Sequence, residues 1–489
     1  MTSIALPVPD AATIALRPHI VAELQSLLGA DRVIGDEDGR RAYDTDALTA
    51  YRRMPLAVVL PQSTAEVAKA LKYCHANGLK VVARGAGTSL AGGALPAEDA
   101  VVITVSKMKR VLDLDYPNRI ARVETGITNL AITNTVAKDG FFYAPDPSSQ
   151  LACTLAGNIG MNSGGAHCLK YGVTTNNVLG LRMVLMDGEI IDIGGSHLDS
   201  GGYDLMGLII GSEGQFGIVT EATVRIIKAA EGARPMLVGF QSSEVAGSCV
   251  SAIIGAGIIP VAIEFMDRPA IQICEAFAKA GYPLDVEAML IIEVEGSDVE
   301  IDDQLEVIAN IARTFNPSIV KVSDSPEMSA KIWKGRKSAF GAVGRLADYL
   351  CMDGTIPLGK LPEVLAAITE ICQRHQLKVA NIFHAGDGNL HPLILFDAND
   401  PDSAARAELA GNEILTLCVK VGGCLTGEHG VGIEKRDLMS VQFNPVDLGV
   451  QMRIKTVFDP DWLLNAAKVF PLDARLMAEI PQPTARAAA

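Results

Sequence analysis

The chain has 489 residues, 49% of them hydrophobic and 20% charged, enough for two or three domains with ample core. A formal net charge of −15 repels phosphate backbones and argues against a nucleic-acid partner. No apolar run approaches the ~18 residues of a membrane span, and no basic stretch followed by an apolar core opens the chain as a secretory signal would.

Nine cysteines without a Cys-x-x-Cys pair fit reduced thiols in a cytoplasmic protein and argue against an iron–sulfur cluster on this chain. Residues 1–50 read as a lead-in with one helix, Ile20 to Leu28. Leu56–Leu60 then reads as a strand, and Ser63-Thr64-Ala65-Glu66 as a capping box opening a helix to about Asn77. After the Lys80–Ala83 strand comes Arg84-Gly85-Ala86-Gly87-Thr88-Ser89-Leu90-Ala91-Gly92-Gly93-Ala94. A Rossmann turn would need a helix to start among these glycines. Asp99–Val105 reads as a strand instead, which leaves two readings: a backbone anion cradle or a glycine-rich hairpin loop.

Two further glycine-punctuated segments follow. Ala144-Pro145-Asp146-Pro147-Ser148-Ser149-Gln150 leads into Gly157-Asn158-Ile159-Gly160-Met161-Asn162-Ser163-Gly164-Gly165, and Gly211-Ser212-Glu213-Gly214 precedes Ile218 and a strand to about Ile227. Three such segments suggest backbone wrapped around one long cofactor. Strands and helices then alternate through residues 231–410, as in an α+β cap. A helix over Glu327–Val343 carries Arg336, a planar fork for a carboxylate or one charge on a solvated basic face.

Asn381-Ile382-Phe383-His384 and Asn389-Leu390-His391 flank Asp387-Gly388, a two-residue hairpin signal. That turn would set His384 directly opposite His391, with Cβ atoms roughly 4.5–5.5 Å apart. Two imidazoles plus Glu428, from Gly427-Glu428-His429-Gly430, would make a three-ligand site with an open position. Zinc, manganese and ferrous iron all suit those donors. The bland alternative is a polar hairpin with hydrogen-bonded histidines.

Together these motifs resemble the D-2-hydroxyacid dehydrogenase branch of the vanillyl-alcohol oxidase / p-cresol methylhydroxylase superfamily. The likeness runs from about Leu56 to Asn465 and is supported by Tyr143-Ala144-Pro145-Asp146-Pro147, His167-Cys168-Leu169-Lys170-Tyr171-Gly172 and Cys351-Met352-Asp353-Gly354-Thr355. It implies an α+β, two-subdomain FAD-binding fold with a ferredoxin-like cap and a C-terminal helical return. The domains would be a FAD-binding domain over 51–230, a cap over 231–410, a completing segment over 411–470 and a disordered tail over 471–489.

The resemblance implies FAD contacts at Arg84, Gly85, Ala86, Gly87, Thr88, Ser89, Gly92, Asp146, Ser149, Gly157, Asn158, Asn162, Gly165 and Ile218. The flavin would be non-covalent, since no His lies between Arg84 and Ala94. It further implies a divalent metal on His384, His391 and Glu428, His429 as base, and Arg336 gripping the substrate carboxylate. The implied reaction oxidises a small 2-hydroxy acid, glycolate or D-lactate, by hydride transfer to flavin. Electrons would pass to partner subunits, including an iron–sulfur subunit, and on to a quinone, with peripheral association at the inner membrane face. Two departures stand out. Leu464-Asn465-Ala466-Ala467-Lys468 replaces the branch's Leu-Asn-Pro-Gly-Lys, and Cys351 stands where hydroxyglutarate enzymes carry Lys.

Overall fold

The computed structural model describes residues 4–197 and 201–472 and divides into two compact units. Among the described residues, one comprises Ile4–Ser163, Val173–Lys228 and residues 428–472; the other comprises Gly164–Gly172 and Ala229–Gly427. The tail expected to be disordered lies, from 473 on, outside the described residues.

In the first unit, the helix Thr64–Ala76 starts where the Ser63 side chain accepts the Glu66 N–H. The Glu66 carboxylate reaches back to Gln62 N–H, not to Ser63, so the box is completed one residue earlier. Val67, Ala70, Leu71 and Cys74 recur at helical spacing and are buried. The helix connects Ala57–Val59 to Lys80–Arg84, and both strands run parallel to Ala100–Thr104, which lies between them. Val33–Ile34 adds an antiparallel edge. The described lead-in forms three α-helices, Ala11–Ala15, Arg17–Leu28 and Glu37–Arg41, where one is expected from sequence. A second, five-stranded antiparallel sheet orders Val111–Asp115, Ile120–Glu124, Ile218–Arg225, Val178–Val184 and Ile190–Gly194.

The other unit is a seven-stranded antiparallel sheet in the order Ile319–Val322, Gly232–Phe240, Ala288–Gly296, Ala262–Asp267, Lys378–His384, Pro392–Phe396, Asp348–Cys351. Its helices include Ser243–Gly255, Asp298–Arg313, Leu361–Arg374 and Pro401–Lys420. The single helix expected over Glu327–Val343 is two, Pro326–Lys337 and Ala339–Gly344. Ser338 breaks it: its hydroxyl bonds back to the Lys334 carbonyl at 2.6 Å and competes with the backbone ladder.

Candidate active site

The histidine ribbon does not turn at Asp387-Gly388 as a tight hairpin. Asn381 pairs with Pro392 and His384 with Asn389, so residues 385–388 form the connection and Ile382 faces His391. The tip is held elsewhere: Ala385 N–H donates to the Ile263 carbonyl, and the Gly388 carbonyl accepts from Ile356. The register differs from the expected one by two residues, which keeps both histidines on one face. They now stand diagonally, and their ring centroids lie 5.3 Å apart at 82°.

Both imidazoles are buried, each beside a fully buried carboxylate. Glu264 lies directly across the sheet from His384, and its Oε1 is 2.7 Å from His384 Nδ1. Asp353 Oδ1 is 3.5 Å from His391 Nε2. The other Asp353 oxygen accepts from Thr426 Oγ1 and, at 3.1 Å, from Gly427 N–H. The backbone leading into Glu428 is thus pinned beside the carboxylate that faces His391. Neither Glu264 nor Asp353 stood out as a site residue from sequence. A lone carboxylate in the apolar run Val261-Ala262-Ile263-Glu264-Phe265 was the available signal for the first.

Arg336 is not on a solvated face. Lys334 and Lys337 are exposed, whereas Arg336 is 4% exposed and paired with Glu264 Oε2 through Nε at 2.8 Å and Nη2 at 2.7 Å. Burial pushes the Glu264 pKa up, but Arg336 and His384 together outweigh it and hold the carboxyl below its usual range.

In the other unit, the Arg84–Ala94 loop is built largely from its own backbone. Arg84 is turned inward, donating to the carbonyls of Thr45 and Ala94, so its guanidinium closes the loop. Asp46, buried, accepts the Ala94 N–H on one oxygen and Leu48 N–H on the other. Ser89 holds Ala47 through its carbonyl and Ala91 N–H through its hydroxyl. A Cβ on Gly85 would sit 2.3 Å from Thr154 Oγ1 and 3.2 Å from Gly157 N, so the bare loop backbone lies against the start of the helix Leu155–Met161. That helix carries Asn158, buried, and ends at Asn162, whose side chain accepts from Thr175 N–H.

The Ser149 backbone carbonyl closes the turn that follows it, accepting from Ala152 and Cys153 N–H, and Asp146 is half-buried nearby in sequence. Ile218 begins a core strand. Gly165 belongs to the other compact unit, so the Gly157–Gly165 motif divides after Ser163.

The Glu428-His429 segment is tied to the glycine loop within the same unit. The Ala91 carbonyl accepts from Ile433 at 2.9 Å and Glu434 at 3.2 Å. Glu213, buried, accepts Val431 N–H at 2.6 Å and Gly432 N–H at 2.7 Å. Lys468 donates to the Gly93 carbonyl at 2.6 Å. Burial brings the Lys468 pKa down to about 7, although Asp46 and Glu213 oppose the shift. Glu213 and Lys468 were legible only as parts of a glycine motif and a terminal turn.

The two-sheet unit and the α+β unit carrying the buried His pair correspond to two FAD-associated protein families. The FAD binding domain family matches residues 55–194, and the family "FAD linked oxidases, C-terminal domain" matches residues 230–469. The chain belongs to the FAD-linked oxidases. It is 46% identical over 470 residues to glycolate oxidase subunit GlcD of Escherichia coli K12, covering 96% of this chain and 93% of that one. It is 29% identical over 465 residues to D-lactate dehydrogenase of Anaerostipes hadrus, covering 92% and 97%. The fold matches the solved structure of p-cresol methylhydroxylase with a TM-score of 0.79 at 15% identity, covering 96% and 99%. No described helix is long and apolar enough to cross a membrane.

Proposed function

We propose that this enzyme oxidises a small 2-hydroxy acid, glycolate or D-lactate, to the 2-oxo acid. The observation that carries the reading is the buried pair His384 and His391, 5.3 Å apart, with Arg336 joined to His384 through Glu264. Similarity to a glycolate oxidase subunit and a D-lactate dehydrogenase supports the substrate class.

The residues fit both absent groups. The Gly85 backbone packs against Thr154 and Gly157 with no room for a Cβ, which brings the glycine loop beside the start of the helix Leu155–Met161; the loop from Arg84 to Gly92 with Asp146, Ser149, Gly157, Asn158, Asn162, Gly165 and Ile218 would hold FAD. Two imidazoles and a carboxylate suit zinc, manganese or iron(II), with Glu428 as third ligand after the anchored Gly427. FAD, when bound, supplies the hydride acceptor, and a divalent cation supplies a Lewis acid for the substrate hydroxyl.

Arg336 fixes the substrate carboxylate and thereby selects which Cα hydrogen is presented. His429 takes the hydroxyl proton, so the substrate loses one proton and one hydride in forming the 2-oxo acid. Cys351 offers no charge for a distal carboxylate, which favours small monocarboxylates over hydroxyglutarate. The reducing equivalents taken up when FAD is bound would pass to partner subunits, an iron–sulfur subunit among them, toward a quinone at the inner membrane face. The E. coli relative's name as a subunit supports partners. A rival reading keeps the chemistry but uses a soluble acceptor, and another makes the chain a non-catalytic flavin carrier. An anaerobic panel of glycolate, D-lactate and D-2-hydroxyglutarate, read by bleaching of the flavin, decides among substrates, and no bleaching by any of them would favour the carrier.

A further inference from the structure

We infer that Glu264 is a shared positioning residue that sets the tautomer of His384 and the orientation of Arg336 at once. The inference rests on the reading that His384 binds a metal and Arg336 the substrate. Glu264 is completely buried and stands opposite His384 in the sheet, on the strand Ala262–Asp267. Its Oε2 accepts from Nε of Arg336 at 2.8 Å and lies 2.7 Å from Nη2 as an ion pair, leaving Oε1 for His384 Nδ1 at 2.7 Å.

With Oε2 turned to the Arg336 guanidinium and Oε1 only 2.7 Å from Nδ1, the carboxylate is placed as acceptor and the ring as donor, Nδ1–H to Oε1. The remaining ring nitrogen, Nε2, then carries the lone pair. Carboxylate partners of this kind fix ring orientation and raise ligand basicity. Nε alone is spent in a hydrogen bond to Glu264, and the buried Nη2, which has no hydrogen-bond partner among the described residues, keeps donor capacity for an incoming carboxylate. One carboxylate therefore aligns the group that binds the cation and the group that binds the substrate.

A merely structural ion pair would need the charge but not the tautomer. Glu264→Gln removes the charge and one acceptor oxygen together and cannot serve both Nδ1–H and Arg336, so zinc affinity reads the loss and the ring's proton position, seen in ¹⁵N-histidine spectra, separates the tautomer from the charge. The experiment measures zinc(II) affinity of the FAD-loaded wild type and of E264Q by competition with a chromogenic chelator, without substrate. The expected result is affinity 10–100-fold weaker in E264Q, together with a raised KM for hydroxy acid once zinc is saturating. Zinc binding by E264Q within twofold of wild type would overturn the inference while leaving the metal site standing. Failure of the wild type itself to bind zinc would remove the metal reading and this inference together.

Should E264Q not fold, ¹⁵N-histidine spectra of the zinc-free wild type give a second test, with His384 assigned through H384Q. A protonated Nδ1 is expected, and a ring with its proton on Nε2 and a bare Nδ1 would overturn the inference.

Discussion

His384 and His391 stand diagonally across their ribbon, rings 5.3 Å apart and nearly perpendicular, each backed by a buried carboxylate. That arrangement points one edge of each ring at a shared space. His384→Ala or His391→Ala, and equally Glu428→Ala, should retain FAD while losing stoichiometric metal and most turnover. Metal analysis alongside flavin absorbance checks this. A strong chelator should reproduce the loss in the wild type, and added cation should reverse it.

His429→Gln should keep both FAD and metal yet lower kcat by at least ~10²-fold, equivalent to about 2.7 kcal/mol of barrier. The pH–rate profile should lose the limb that belongs to the base. A variant with an unchanged profile would assign proton removal to another group.

The segment carrying His429 is held by backbone contacts that tolerate no side chain at Gly432. That residue has φ +51°, and a Cβ there would lie 2.0 Å from the Ala91 carbonyl oxygen. Gly432→Ala should therefore cost at least about 2 kcal/mol. It should also weaken FAD retention, since Ala91 belongs to the glycine loop. Thermal unfolding and the flavin content of the purified protein measure both effects.

Lys468 should leave a pH signature. Burial lowers its pKa to about 7, below the ordinary lysine value, so the folded protein holds fewer protons on it than the unfolded chain between about pH 7 and 10.5. Its contribution to stability therefore rises with pH across that window and is lost as pH falls toward 7. Melting temperatures of the wild type relative to Lys468→Met should climb from pH 7 to pH 10. A parallel pair of curves would contradict the assignment.

Much of the fold around the candidate site was legible along the chain because it is local. The Ser63 cap, the helix after it and the strands on either side of the Arg84–Ala94 loop follow from spacing alone. The histidine pair was legible too, but its register was not. The ribbon's turn is decided by where Ala385 and Gly388 dock, on Ile263 and Ile356, and those partners are distant in sequence. Glu264 and Glu213 escaped for the same reason. Each acts across the fold, on His384 and on Val431 and Gly432, and nothing nearby in the chain announces the partner. Arg336 carries the same lesson, since a basic helix face looks solvated until the strand that meets it supplies a carboxylate.

The most direct measurement is anaerobic addition of glycolate or D-lactate to the FAD-loaded enzyme, metal-replete and metal-stripped, while the flavin's visible absorbance is followed. The account predicts rapid bleaching with one of these acids when metal is present, and at least ~10²-fold slower bleaching after stripping, restored by added cation. Equal rates in both preparations would contradict it.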